Sequence, residues 1–216
     1  HVSLNISAQQ YALVGMHLIE SIKEALGEAA TPEIIDAWST AYQQLAQMMS
    51  GHEADLYKKQ GDQAHGWNGW RLFTIGKKVV ESVEVISFHL YPADGGKVPS
   101  HVPGQYISLQ LFLPELNLTQ IRQYSISSAP NGLYYRISVK REKGKDISTD
   151  GLISNHLHDF VNKGDKVMIT PPAGAFVLPS NINVPIMLLS GGVGLTPLFS
   201  MLKNLLDRNH EHPITW

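Results

Sequence analysis

Apolar residues recur at helical spacing through residues 1–62 of the chain. In the first stretch the apolar positions are Tyr11, Val14, Leu18, Ile22 and Ala25. In the second stretch they are Ile34, Trp38, Ala41, Leu45, Met48 and, beyond a weak point at Gly51, Leu56. Two long amphipathic helices cannot bury both of these faces by themselves, so we expect partner helices upstream. We interpret residues 1–62 as the C-terminal portion of an all-α domain.

Helix start signals agree with this pattern. Ser7 is followed three residues later by Gln10, which is the spacing of a capping box. Thr31 and Pro32 offer an N-cap residue and a proline at the first helical position. The sequence therefore predicts one helix that begins after Ser7 and a second that begins at Pro32.

From Trp67 onward the apolar and polar residues alternate at period two, which is typical of strands. One strand region contains Val79, Val83, Val85, Phe88 and Leu90 and ends in a turn at residues 91–96. Further strands are predicted at residues 105–113, 123–127, 134–141 and 166–170, with one short helix at 154–161. Short strands between Gly, Pro and Asn turns are typical of a small antiparallel barrel, which we assign to residues 63–182.

A different pattern begins near Val184. Residues 186–190 form a nearly unbroken apolar run, which predicts a strand buried on both faces, as in a parallel sheet. A helix is predicted at 196–209, and Ile214 begins the next strand, so residues 183–216 open a βαβ unit. The predicted fold is therefore multidomain, with an all-α portion, an antiparallel β-barrel and the beginning of an α/β domain.

The amino-acid composition limits the partners and the cofactors that this chain can use. The 216 residues carry a net charge of -2, which gives no electrostatic reason to expect a nucleic acid partner. No run of about 18 apolar residues suggests a membrane span, and with no targeting segment visible we expect a cytoplasmic location. The chain has no cysteine, so disulfides and cysteine-bound iron–sulfur clusters are excluded and any redox chemistry needs a bound cofactor. Because it starts at His1 and stops at Trp216, we expect a piece of a longer protein.

Residues 122–125 (Arg-Gln-Tyr-Ser) carry the most informative side chains. Arginine binds a phosphate through two parallel hydrogen bonds, Tyr124 offers a face to a flavin ring, and Ser125 offers a hydroxyl to its N5 edge. An ordinary strand that opens on a basic residue would explain the same segment. The flavin interpretation gains support from residues 151–155, where a helix that starts with small polar residues favours a pyrophosphate.

Residues 191–197 (Gly-Gly-Val-Gly-Leu-Thr-Pro) form a glycine turn between a predicted strand and a predicted helix. Such a turn suits the close approach of a dinucleotide to the backbone. The segment lacks the spacing G-x-G-x-x-G, and many α/β units need a glycine turn only for packing. Thr196 and Pro197 are predicted to supply the helix cap and the proline at its first position.

His1, Tyr11 and Glu53 form a third candidate group. A histidine near a helix end could be a haem axial ligand, with neighbours that tune it through hydrogen bonds. From the residues alone, Tyr11 could equally be a half-buried helix residue, Glu53 a solvated one and His1 a chance terminal residue. For the other histidines we expect surface positions, since none has a trusted metal-ligand spacing.

Residues 122–125, 151–155 and 192–197 resemble the ferredoxin–NADP⁺ reductase superfamily. The helical front is more specific. With its opening histidine, Tyr11-Ala12-Leu13-Val14-Gly15, Asp36-Ala37-Trp38 and Glu53-Ala54-Asp55-Leu56-Tyr57, it resembles the C-terminal part of a flavohaemoglobin globin domain. Residues 121–125 and 139–142 resemble the reductase portion of the same family.

The resemblance implies a globin domain, an FAD-binding barrel and an NAD(P)-binding domain, with nitric oxide dioxygenase activity. The implied cofactors are haem b, FAD and NAD(P)H, and the implied partners are the small molecules O2, nitric oxide and NAD(P)H. It further implies His1 as the proximal ligand of the haem iron, with Tyr11 and Glu53 as its catalytic hydrogen-bonding partners. The implied FAD contacts are Tyr106, Arg122, Gln123, Tyr124, Ser125, Gly151 and Ser154. The implied NAD(P)H contacts are Gly192, Val193, Gly194, Leu195, Thr196 and Pro197.

The chain also departs from that family. The distal tyrosine and glutamine of the haem pocket and the late FAD-facing glutamate are absent, so we expect this chain alone not to hold haem stably. Two alternatives remain open at this point. One is a flavin NAD(P)H reductase whose helical front is a docking module, and the other is an oxygen-binding globin.

Overall fold

The computed structural model describes residues 2–145 and 150–216. The chain divides into two compact units, His1–Asp62 and Gln63–Trp216. Among the described residues, no helix combines the length and the apolar character needed to cross a bilayer.

The first unit is helical. It contains α1 (Ala8–Leu26) and α2 (Pro32–Asp62), with short 3-10 turns at Val2–Leu4 and Gly27–Ala29. The predicted start of α1 is confirmed, because the Ser7 backbone N–H donates to Gln10 Oε1 at 2.7 Å. The start of α2 is confirmed too, since the Ile34 N–H donates to Thr31 Oγ1 at 3.4 Å. The helix α2 continues through Gly51, so this glycine does not interrupt it.

The two helices pack closely where Gly15 faces Tyr42. A Cβ at Gly15 would collide with the Tyr42 ring, and the Tyr42 hydroxyl donates to the Tyr11 backbone carbonyl at 2.6 Å. Large apolar side chains nevertheless remain exposed on both helices, among them Leu13, Val14, Trp38, Leu45 and Met48. Within the described residues, these two helices therefore leave much of their apolar surface uncovered.

The second unit begins with a curled antiparallel sheet. In the described residues its strands are β1 (Arg71–Val80), β2 (Val85–Pro92), β3 (Tyr106–Leu113), β4 (Leu118–Ser125), β5 (Tyr135–Lys140) and β6 (Lys166–Ile169). Their order is β4-β3-β6-β1-β2-β5. A bridge between Ile126, just beyond β4, and Ile137 on β5 joins the two edges of the sheet. The predicted barrel is thus confirmed, and the short helix predicted within it is α3 (Leu152–Asp159).

Two strand predictions were wrong in their limits. The region from Val79 to Leu90 is two strands, because the chain turns between Val80 and Val85 and leaves Val83 98% exposed. The Ser82 hydroxyl stabilises this turn by accepting from the Val85 N–H at 3.2 Å. The strand predicted at 123–127 begins earlier, at Leu118, since a tight turn pairs Leu118 with Leu113.

The barrel interior is filled by the inward-facing residues of its strands. The largest fully buried side chains include Phe73, Ile75, Phe88, Leu90, Ile107, Leu109, Ile137 and Tyr135. The helix α3 adds Ile153 and Leu157 to the same core. Because alternate residues of each strand point into the barrel, the residues between them point outward and can line a site on the outer surface of the barrel.

The C-terminal residues form the predicted βαβ unit. The strands β7 (Ile186–Met187) and β8 (Ile214–Thr215) pair in parallel, and α4 (Leu195–Asp207) connects them. The prediction of a strand buried on both faces is wrong for this chain, because Met187 is 66% and Leu189 79% exposed. Leu188, on the opposite face, is buried against α4, and the described residues include no element that covers the other face.

Two histidines are buried, contrary to the expected surface positions. His158 Nε2 lies 2.9 Å from the Val139 carbonyl oxygen. His101 Nε2 lies 3.1 Å from the Ser128 carbonyl oxygen and 3.4 Å from Ser200 Oγ on α4. Burial lowers the pKa of His101 to about 4, since the charged ring would lose its hydration. His101 is therefore a neutral contact between the barrel and α4.

We expect acid to destabilise the unit Gln63–Trp216 partly through His101. Its pKa of about 4 in the folded protein lies below the value of about 6.5 of an unfolded chain, so the unfolded chain binds the proton more readily. Stability is therefore lost as the pH falls from about 6.5 towards about 4, by up to roughly 3 kcal/mol. Urea unfolding at a series of pH values measures this loss.

The variant His101→Gln is expected to flatten the pH dependence, because the titrating ring is gone. His52 lies exposed on α2, so His52→Gln serves as the control and is expected to keep the wild-type slope. Equal slopes for both variants and the wild type would contradict the assignment.

Candidate functional site

A groove of about 420 Å³ opens on the outside of the barrel, within the unit Gln63–Trp216. It is lined by Arg122, Gln123, Tyr124, Ser125, Ser138, Lys140, Glu142, Gly151, Leu152, Ile153, Ser154, Val193, Gly194, Thr196 and Pro197. Three segments that the sequence singled out separately, about 70 residues apart at the extremes, thus meet in one place.

The strand β4 presents Arg122 to this groove. The Arg122 side chain is exposed, and its Nη1 donates to Gln120 Oε1 at 2.9 Å and to the Ile121 carbonyl oxygen at 2.8 Å. Both bonds use one nitrogen of a guanidinium group that has five N–H donors. Because this side chain lines the groove, its planar fork of donors has the geometry that suits a phosphate there.

Tyr124 and Ser125 follow on the same strand. Tyr124 is half-buried and packs against the barrel core, and burial raises the pKa of its hydroxyl to about 12, so the phenol stays neutral at ordinary pH. Ser125 pairs in register with Tyr106 on β3. Tyr106 is itself fixed by two backbone hydrogen bonds of 2.9 Å with Ala173. Tyr106 thus supports the end of β4 rather than lining the groove.

The N-terminal end of α3 forms the second wall. Gly151 is tightly surrounded, since a Cβ there would lie 2.6 Å from Ser154 Oγ and 2.7 Å from Glu142 Cβ. The Ser154 hydroxyl donates to the Gly151 carbonyl at 3.0 Å and accepts from the Glu142 N–H at 3.2 Å. The first backbone N–H groups of a helix have no partner within it, so this end attracts anions.

A strong ion pair fixes the direction of α3. Arg141, just after β5, donates to both carboxylate oxygens of Asp159, at 2.9 and 2.5 Å, and to Asn155 Oδ1 at 3.0 Å. The hydrogen bonds from Arg141 lower the pKa of Asp159, so the carboxylate stays charged. At the C-terminal end, Lys78 Nζ donates to the carbonyls of His158 and Val161 at 2.7 Å. Because both contacts hold α3, its N-terminus stays aimed at the groove.

The glycine turn forms the third wall, but the predicted cap is wrong. A 3-10 turn at Gly192–Gly194 leads into α4, which begins at Leu195 with Gly194 as its N-cap. Thr196 therefore lies inside the helix, and its hydroxyl donates to the Val193 carbonyl at 2.9 Å instead of accepting a capping bond. Pro197 is tolerated because it still lies in the first helical turn.

The glycines of this turn have different roles. Gly192 has a φ of 54°, which favours glycine. Gly191 and Gly194 have open space where a Cβ would stand, so packing among the described residues does not require glycine there. Gly192 and Leu195 line a second hollow of about 320 Å³, which shares Ser138, Lys140, Val193 and Thr196 with the main groove.

The third candidate group lies in the helical unit. The Tyr11 hydroxyl donates to Glu53 Oε1 at 2.5 Å, and both side chains are buried. Burial, followed by the hydrogen bond to the carboxylate, raises the pKa of Tyr11 to about 12. The alternative of a solvated Glu53 is therefore wrong. His1 lies outside the described residues.

Comparison with known proteins agrees with these motifs. The globin family model matches residues 1–49. A flavohaemoprotein of Bordetella pertussis is 51% identical over 99% of this chain and 53% of its own length. The chain is therefore similar to flavohaemoproteins over nearly its whole length. It spans about half the length of the curated flavohaemoproteins it matches.

Solved structures carry the same fold as this chain. A flavohaemoglobin of Malassezia yamatoensis, solved with bound FAD and haem, is similar over 99% of this chain and 53% of its own, at TM-score 0.82 and 26% identity. The FAD/NAD-binding domain of a nitric oxide dioxygenase from Vibrio cholerae covers 67% of this chain and 60% of its own, at TM-score 0.60 and 42% identity. The predicted resemblance to flavohaemoglobins and the predicted multidomain fold are confirmed.

Sequence reasoning gave no site role to five residues that line the groove, namely Ser138, Lys140, Glu142, Leu152 and Ile153. Ser138 and Lys140 alternate along β5 with the buried residues Ile137 and Val139. That alternation was visible in the sequence and could have assigned both side chains to the outer face of the barrel.

Replacing Gly151 by alanine is expected to destabilise the second unit by about 1–3 kcal/mol, because the added methyl group overpacks the start of α3. Gly191→Ala is the matched control, since open space surrounds that position, and is expected to have little effect. Thermal unfolding followed by circular dichroism measures both. Equal midpoints for the two variants would show that Gly151 is not needed for packing.

Proposed function

We propose that this chain is the electron-transferring middle part of a nitric oxide dioxygenase that uses NAD(P)H, FAD and haem b. The observation that carries the proposal is the groove where Arg122–Ser125, the N-terminus of α3 and the turn before α4 meet. The substrates of this proposal are small molecules, namely NAD(P)H, O2 and nitric oxide. A cytoplasmic location stays a prediction.

The groove residues fit FAD by their chemistry. The outward guanidinium of Arg122 and the N-terminus of α3 suit a diphosphate, because one supplies a fixed fork of donors and the other a positive dipole end. The neutral ring of Tyr124, packed on the core from behind, suits the flavin ring system. When bound, FAD accepts a hydride and returns its electrons one at a time.

The chain's own residues prepare this exchange. Tyr124 excludes water from one face of the ring and Ser125 offers a hydroxyl at its edge, while Gln123 stands exposed beside them. At the opposite wall, Gly194 leaves space for NAD(P)H to approach the backbone, since no described side chain needs that space. Gly192–Pro197 are accordingly proposed as the NAD(P)H contacts.

The helical unit supplies the proposed haem contacts. We assign His1 as proximal ligand from the similarity to flavohaemoproteins, and the buried bond between Tyr11 and Glu53 fits a role in orienting such a ligand. A carboxylate buried beside a neutral tyrosine can accept a second hydrogen bond and hold a ring in one orientation. Bound haem would supply the iron at which O2 and nitric oxide react.

Arg122→Ala is expected to weaken FAD binding about 10- to 100-fold, which corresponds to the 1.5–3 kcal/mol of hydrogen bonds to a charged group. Titration of FAD fluorescence against the chain measures the dissociation constant. Lys97→Ala removes an exposed cation from the same barrel away from the groove and is expected to bind FAD like the wild type. If both variants bound equally well, the phosphate role of Arg122 would be wrong.

The flavohaemoproteins that this chain matches are about twice its length, so the test of activity uses a polypeptide of that length. We would complete the chain at both ends with the corresponding segments of a flavohaemoprotein relative and follow nitric oxide consumption and nitrate formation with NADH. Arg122→Ala is expected to lower NADH-driven turnover at limiting FAD while the haem spectrum is retained. A protein that reduces ferricyanide with NADH but consumes no nitric oxide would instead be a plain flavin reductase.

A further inference from the structure

Two histidine side chains lie side by side in the segment that leads into β8. The ring centres of His210 and His212 are 5.7 Å apart, and both residues are half-buried. Two imidazoles bound to one tetrahedral metal ion have ring centres roughly 5 Å apart, because each ligating nitrogen lies about 2.0–2.1 Å from the ion. The observed spacing of the two rings is therefore close to the spacing that a shared ion requires.

Each of these rings is held through one of its two nitrogens. His210 Nε2 lies 3.1 Å from the Val184 carbonyl oxygen, and His212 Nε2 lies 3.0 Å from Asn183 Oδ1. A carbonyl oxygen can only accept, so Nε2 carries the proton in both neutral rings, and Nδ1 keeps a free lone pair. Among the described residues, neither Nδ1 atom has a hydrogen-bond partner. Both lone pairs are thus available to a ligand.

Proteins prepare histidines for metal binding in this way. The ring N–H that faces away from the ion is usually donated to a backbone carbonyl or another oxygen, which fixes both the tautomer and the orientation of the ring. Imidazole nitrogen is a preferred ligand of Zn²⁺, Cu²⁺ and Ni²⁺, whereas Mg²⁺ and Ca²⁺ prefer oxygen ligands. The pair therefore favours an ion of the first group.

The backbone around the histidine pair is fixed on both sides. Before the pair, Arg208 Nη2 donates to the Ser180 carbonyl at 2.6 Å. After the pair, the Ile186 N–H donates to the Pro213 carbonyl at 3.0 Å. Because the segment that carries the two rings is tied at both ends to the segment that carries their acceptors, little conformational freedom is lost when an ion binds.

The histidine pair lies away from the groove. His210 and His212 precede β8, and Asn183 and Val184 precede β7, so all four residues lie at the amino ends of these parallel strands. Nucleotides bind at the carboxyl ends of such strands, and none of the four residues lines the groove. The pair is therefore separate from the proposed NAD(P)H site, and the proposed function does not depend on it.

We infer that His210 and His212 form a binding site for one divalent transition-metal ion that prefers imidazole nitrogen, such as Zn²⁺. Within the part of the chain that the structure describes, no group of three or more histidine, aspartate or glutamate side chains is placed to hold one ion. Water therefore completes the coordination of the ion. Because the ion binds only when the rings are in place, it stabilises the pairing of β7 with β8.

Titration calorimetry of Zn²⁺ into the full chain without an affinity tag tests the site, at about pH 8 because ligating imidazoles must be deprotonated. The wild type is expected to bind one ion more than the double variant His210→Gln/His212→Gln. Asn183→Ala, which removes only the oxygen that orients His212, is expected to weaken this binding about tenfold. Asn183→Asp keeps an acceptor oxygen and is expected to restore it.

His17→Gln is the matched control, since His17 is exposed on α1 and its Nδ1 lies 3.6 Å from the Glu20 carboxylate. This variant is expected to bind Zn²⁺ like the wild type. Equal binding by the wild type and the double variant would overturn the site. If the double variant failed to fold, equal affinities of Asn183→Ala and Asn183→Asp would overturn it instead.

Hydrogen exchange tests whether the ion stabilises the two strands. At a free Zn²⁺ concentration about one hundred times the dissociation constant, the amide of Ile186 is expected to exchange about a hundredfold more slowly than without the ion. The double variant is expected to show no such change. Zn²⁺ that binds to the pair but leaves this exchange rate unchanged would contradict the stabilisation of β7 and β8.

Discussion

The barrel closure between Ile126 and Ile137 is the contact on which the site depends. It is supported by the Ile126 N–H bond to the Gln105 carbonyl at 2.9 Å and the Ser127 N–H bond to the Arg136 carbonyl at 2.7 Å. Because the two edge strands meet there, the end of β4 is brought beside β5. Without this closure, Arg122–Ser125 would lie at one edge of an open sheet and the start of α3 at the other.

The helices α3 and α4, which form the other walls of the groove, are attached to this closure. The ion pair of Arg141 with Asp159 ties α3 to the strand that completes the closure. On the other side, the Ser200 hydroxyl of α4 donates to the Ser128 carbonyl at 2.6 Å, two residues beyond Ile126. Both walls of the groove are therefore attached to the backbone around the barrel closure. A site assembled from distant segments keeps a defined shape in this way.

The sequence predicted the features that depend on local pattern. Period-two alternation gave β3, β5 and β6 within one residue of their limits, and the cap signals gave the starts of α1 and α2. Features that depend on distant partners were not predicted from the sequence. His101 and His158 are buried because their Nε2 atoms lie within hydrogen-bond distance of the carbonyls of Ser128 and Val139, and no local spacing in the sequence indicates such partners. The prediction of Thr196 as the helix cap was wrong because a 3-10 turn leads directly into α4. The N-cap is Gly194, two residues before Thr196.

The strands β7 and β8 are only two residues long and pair at a single place. Their small core, with Leu188, Leu198 and Leu205, is separate from that of the barrel. Regions with few buried contacts open locally at a lower free energy than the core around them. Amide hydrogens of β7 and β8 should thus exchange with deuterium long before those of β1 and β2. Binding of a dinucleotide at the glycine turn before α4 would then slow deuterium exchange in β7 and β8, with no change in the barrel.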